Sequence, residues 1–136
     1  MNAQTLLEKI HILELQIERI AMKRDSLRSL AESVTTVIRG TNVSGSHNDR
    51  KLEDLLNESA ELDRKIAVLQ DELVDRKLEF VQMLDAMKNP AAARITVLRL
   101  LEKKSWQSIS ETVGYSSSHC RLLCTEILEK LSIDKH

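Results

Sequence analysis

An all-α fold, a long N-terminal two-helix coiled coil followed by a compact C-terminal helical domain, is predicted by three features of this 136-residue chain. Glycine occurs three times and proline once, against roughly 7% and 5% in ordinary globular proteins, so turns are few and the elements between them long. Helix formers fill the sequence, and apolar residues recur at alternating four- and three-residue steps, the period of a coiled-coil seam. A β-sandwich or barrel needs far more turns. A dinucleotide-binding domain needs a glycine-rich phosphate loop that is absent. One Trp, one Tyr and one Phe are too few for an aromatic-lined small-molecule pocket. These exclusions leave a helical protein that binds macromolecules or itself.

The first helix is expected over about residues 3–38. Its seam runs through Leu6, Ile10, Leu13, Ile17, Ile20, Arg24, Leu27, Ala31, Val34 and Ile38. Arg24 interrupts it and must either meet an acidic partner or reach outward along its aliphatic stem; such a residue sets register or oligomeric state. Residues 39–49, with two glycines, two serines and two asparagines, read as a loop in which Asn48 or Asp49 caps the next helix. That helix, about 50–88, carries a second seam through Leu52, Leu55, Ser59, Leu62, Ile66, Leu69, Leu73, Arg76, Phe80, Met83 and Met87, and stops at Asn89 and Pro90. Helices of about 50 and 58 Å joined by a short loop suggest an antiparallel hairpin spanning residues 1–88, with a parallel dimer hinged at the loop as the alternative. One seam gives a thin core, so Leu7, Leu30, Val37, Leu56, Val74 and Val81 predict a homo-oligomer, a dimer first. Acidic residues fall mainly on outward positions, where charges keep a helix soluble and choose partners.

Charge divides the chain. Residues 1–87 hold twelve Lys/Arg against sixteen Asp/Glu, and residues 88–136 eight against five, so the two parts are expected to meet different partners. No cationic start leads into a long apolar run, which predicts a cytoplasmic protein with neither leader nor membrane span. Cys120 and Cys124, four apart on one predicted helix, are poorly placed for a disulfide and read as reduced, buried small apolar residues. With His119 they lack a fourth metal ligand. No metal, cofactor or catalytic group is expected, and the chain does not read as an enzyme.

The C-terminal domain, residues 89–136, begins with Pro90 in the first turn of a helix to Lys103, buried through Ile95, Leu98 and Leu101. Ser105 can cap a short helix from Trp106 to Val113, Gly114 suits a turn needing positive φ, and Ser116 can cap a last helix from about Ser117 to Leu131. Helix, short helix, glycine turn and helix form a helix-turn-helix pattern.

The stretch VLRLLEKKSWQSISETVGYSSSHCRLLCTEILEKL, residues 97–131, resembles without a gap the helix-turn-helix by which bacterial sigma factors read the −35 promoter element. It is most similar to the sigma-like transcriptional regulators of phage and prophage genes of the ArpU and RinA kind. The L-R-x-L stretch, the K-S-W-x-x-I-x-x-x-x-G-Y-S run and the amphipathic last helix carry the likeness. The resemblance implies double-stranded DNA as partner and a recognition helix, residues 117–131, in the major groove. Its DNA-facing residues would be Ser117, Ser118, His119, Arg121 and Leu122, with Ser116 at the cap. Arg121, with its planar fork, is the candidate for guanine or phosphate. Lys103, Lys104, Ser105 and Gln107 would hold the DNA backbone. Trp106 reads as an anchor against the recognition helix or as a surface stacking residue.

Arg121 is the sole charge between Ser116 and Thr125, so the counterion-release contribution per copy is small. Dimerisation would place two domains on one site. The competing expectation is a non-enzymatic interaction protein whose coiled coil is the working surface, with RNA polymerase or another regulator as partner and a helix-turn-helix that no longer binds DNA.

Overall fold

A computed structural model describes residues 2–40 and 46–132 of the chain. Among them every regular element is helical: α1 (Ala3–Gly40), α2 (Ser46–Asp85), α3 (Pro90–Thr96) continuing into a π-helical turn (Val97–Leu101), α4 (Trp106–Val113) and α5 (Ser117–Lys130). The all-α prediction holds, and no described helix is long and apolar enough to cross a membrane.

The two long helices outrun their predicted bounds at the loop. α1 continues to Gly40 and α2 already begins at Ser46, so Asn48 and Asp49 lie inside a helix rather than capping it. The polar composition of this segment disguised helical residues as loop. Asp49 sits in the first turn of α2 and Arg39 in the last turn of α1, each the favourable sign for the backbone dipole there. Residues 41–45, the middle of the expected loop, fall outside the described residues. At its other end α2 stops at Asp85, three residues early, through a turn in which Lys88 takes a positive φ of 57°.

Both predicted seams are real: every one of their positions is buried or half-buried. By contact the chain forms two compact units, one of Met1–His11 with Val74–His136 and one of Ile12–Leu73. These limits cut across α1 and α2, whereas the sequence suggests a division at Asn89–Pro90.

In the Ile12–Leu73 unit α1 and α2 run antiparallel. Arg24 and Arg28 meet Asp63, while farther along α1 the stretch Arg28–Arg39 shares a groove with Leu52 and Leu56. Its interior is thin: Leu13, Ala31, Ser59, Leu62 and Ile66 are buried. Arg24, the cation in the seam, has its acidic partner. Its Nη1 donates to Asp63 at 3.1 Å and its Nε to Asp25 at 3.2 Å; the hydrogen bonds to Asp63 and then Asp25 raise its pKa further above the ordinary arginine value.

The other unit holds the larger interior. Leu6, Phe80, Leu84, Ile95, Thr96 and Ile109 are essentially inaccessible, and the last turns of α2 lie beside α3 through Val81, Leu84, Ala93 and Val97. α3 starts where Asn89 accepts a hydrogen bond from the Ala92 N–H at 3.2 Å, with Pro90 following, the position at which a missing N–H costs nothing. It ends two residues before Lys103, in a π turn closed by Glu102 N–H to the Val97 carbonyl at 3.1 Å. Lys103 then adopts φ 56° and the Lys104 N–H reaches the Leu98 carbonyl at 2.9 Å, which terminates the helix.

Candidate nucleic-acid interface

α4 and α5 are set by three local devices, all on residues the sequence singled out. Ser105 accepts from the Ser108 N–H at 3.1 Å and starts α4. Gly114, at φ 81°, closes α4 with its N–H on the Ser110 carbonyl at 2.9 Å. Ser116 accepts from the His119 N–H at 3.1 Å and starts α5. The Ser110 hydroxyl donates to the Tyr115 carbonyl and fastens the turn from the α4 side.

Ile95, Ile109, Cys120 and Cys124 form the buried centre, covered by Leu98, Trp106, Val113, Leu123 and Leu128. Both cysteines are free thiols. Burial pushes the Cys124 thiol above its ordinary value, outweighing the hydrogen bond with Thr96 and the charge of Arg99 that pull it down. Among the described residues no three His, Cys, Asp or Glu side chains gather as metal ligands.

Because this centre takes one side of α5, the predicted DNA-facing side chains lie on the other. Ser116, Ser118, His119, Arg121 and Leu122 are exposed and Ser117 is half-buried. The His119 ring stands edge-on to Tyr115, centroids 5.0 Å apart. Lys103, Lys104, Ser105 and Gln107 are exposed too, but only Gln107 lies within α4; the two lysines belong to the connection before it.

The Arg121 guanidinium lies 5.8 Å from the centre of the Trp106 ring, and that of Arg99 lies closer, at 4.6 Å. Trp106 is half-buried and packs on the core, as its reading as an anchor expects, and both guanidiniums lie over its ring. Trp106 and the two arginines line an open groove of about 260 Å³, floored by Leu100, Cys124 and Leu128. Arg99 lies within the L-R-x-L stretch, yet the sequence points to no particular contact for it. Nothing in local spacing tells that Arg99 lies in a π turn and that its side chain reaches over the first residue of α4.

No protein-family model, curated protein or solved structure matches the chain.

Proposed function

We propose that this protein is a sequence-specific DNA-binding transcriptional regulator of the sigma-like phage and prophage kind, in which α4, the Gly114 turn and α5 act as a helix-turn-helix. α5 enters the major groove, and the hairpin of α1 and α2 pairs two copies. The observation that carries this reading is the capped α4–Gly114–α5 arrangement with an outer face free of carboxylates from Ser116 to Thr125 and cations at its margin. Free N–H groups at the α5 N-terminus suit phosphate or base edges, and Arg121 suits guanine.

Fluorescence titrations of the full chain against duplexes from its native upstream region and random duplexes, at several salt concentrations, test it. The specific duplex should bind at least about a thousandfold tighter than random DNA, with a shallow salt slope, and Arg121→Ala should weaken it about tenfold or more. Equal affinity for both duplexes, unchanged by Arg121→Ala, would sink the reading.

A second reading has its own observation. Ile12, Leu15, Met22, Leu30 and Val37 on α1 are about half exposed or more and fall within about a quarter turn of one another at 3.6 residues per turn. Such a stripe, off the α1–α2 seam, fits a protein-binding helix face. If the coiled coil alone is the working surface, Met22→Glu with Leu30→Glu should abolish partner capture while Arg121→Ala leaves it intact.

A further inference from the structure

Resting on the DNA-binding reading, we infer that the centre of the recognition surface is Leu122 rather than Arg121, and that it selects thymine through the C5-methyl group. At about 100° per residue, the buried Cys120, Cys124 and Ile127 fix the inward direction of α5. Ser118 and Leu122 then point most directly outward in its first two turns, while Arg121 and His119 fall on opposite flanks. Their contacts agree with this placement. Arg121 leans back over Trp106 on α4 and His119 over Tyr115 in the turn, so each is partly engaged by its own domain. Leu122 is 53% exposed on a face whose other outward side chains are polar.

In the major groove the partner for an apolar side chain is the thymine methyl, the one apolar group that the base edges present there. The surroundings favour nucleic acid over an apolar protein partner. Arg99 and Arg121 flank Trp106, Lys103 and Lys104 precede α4, and no carboxylate falls between Ser116 and Thr125. Ser118, one turn before Leu122, is small enough to let the helix approach the bases. The site is thus read by a methyl contact at its centre and by arginine at its margin, which accounts for a recognition face with so little charge.

Deoxyuridine, which lacks only that methyl group, tests this. Full-length protein is used to enrich duplexes from a random pool, and the best duplex is remade with each thymine replaced in turn by deoxyuridine. Affinities are measured by fluorescence anisotropy for the wild type and Leu122→Ala. At one or two positions deoxyuridine should weaken the wild type about fourfold, the worth of one buried methyl. Leu122→Ala should bind thymine and deoxyuridine duplexes alike at those positions. Because Leu122 lies outside the core, unchanged circular dichroism should accompany the substitution. Wild-type affinity indifferent to every deoxyuridine, or a penalty that persists in Leu122→Ala, overturns the inference while leaving DNA binding standing. Failure to enrich any sequence from the pool overturns the DNA-binding reading and this inference together.

Discussion

The Arg99 guanidinium covers the Trp106 ring at 4.6 Å while its Nη1 donates to the Lys104 carbonyl at 3.0 Å. One side chain thus ties the π turn, the connection after it and the first residue of α4. Arg99→Ala removes a cation–π contact and a charge-assisted hydrogen bond, and is expected to cost about 1–2 kcal/mol. Trp106 is the sole tryptophan, so the loss is read by urea unfolding and by a shift of native fluorescence emission. Arg99→Lys keeps the charge but not the flat stacking surface, and should recover less than half of the loss.

Gly114 is a clean probe of backbone conformation. A Cβ there would meet nothing within 4 Å, yet the residue sits at φ 81°. Gly114→Ala should cost about 1–2 kcal/mol through the left-handed conformation alone, whereas Gly114→Asn, which tolerates that region, should cost clearly less. Equal stability of the two variants by denaturant unfolding would show that the turn relaxes on substitution.

The caps should behave alike and independently. Ser105→Ala and Ser116→Ala each remove the acceptor for one helix-initiating N–H and should each cost about 1 kcal/mol. Because the two bonds start different helices, the double substitution should cost close to the sum; a double-mutant cycle in urea checks both statements.

Cys124 links stability to alkaline pH. Its folded pKa is raised by burial above the ordinary 9.0, so the folded chain holds its proton where the unfolded chain has lost it. Its contribution is complete below pH 9.0, the unfolded value, and is lost as pH rises through the folded one. Unfolding free energy measured across this range should fall less steeply in Cys124→Ala than in the wild type. Below the transition the native thiol should be alkylated far more slowly than in denaturant.

Across the hairpin seam, Asp63 receives both Arg24 and Arg28, at 3.1 and 2.6 Å. Asp63→Ala should lower the thermal midpoint, because two neighbouring guanidiniums lose their shared carboxylate. Arg24→Met should be neutral or stabilising, since an apolar residue there avoids the desolvation of a charge. Midpoints followed by circular dichroism decide, and a larger loss for Arg24→Met than for Asp63→Ala would contradict this account.

Much of this architecture was readable from sequence because its rules are local. Seam positions follow from the seven-residue period, and Ser105, Gly114 and Ser116 follow from the demands of helix ends within three residues of each. The features missed depend on distance or on a balance of weak preferences. Asp63 answers Arg24 from 39 residues away, beyond any periodicity. The helical turns at Arg39–Gly40 and Ser46–Asp49 contain loop-favouring residues, which here yield to continuation of the long helices. The exposed side of α5 was legible from its core spacing; that Arg99 and Arg121 would both lie over Trp106 was not, because the place of Arg99 depends on the π turn.

Glu102 donates to Val97 five residues back, so that turn holds one residue more than an ordinary α-helical turn. Thr96, just before it, and Leu101, its last residue, are nevertheless both buried. On a regular helix residues five apart diverge by more than a third of a turn, whereas a segment one residue shorter would keep the same two side chains inward. The additional residue is therefore absorbed within the half-buried stretch 97–100, which includes Arg99. Length variation at this point is a way to alter the surface beside α4 while the interior keeps its phase.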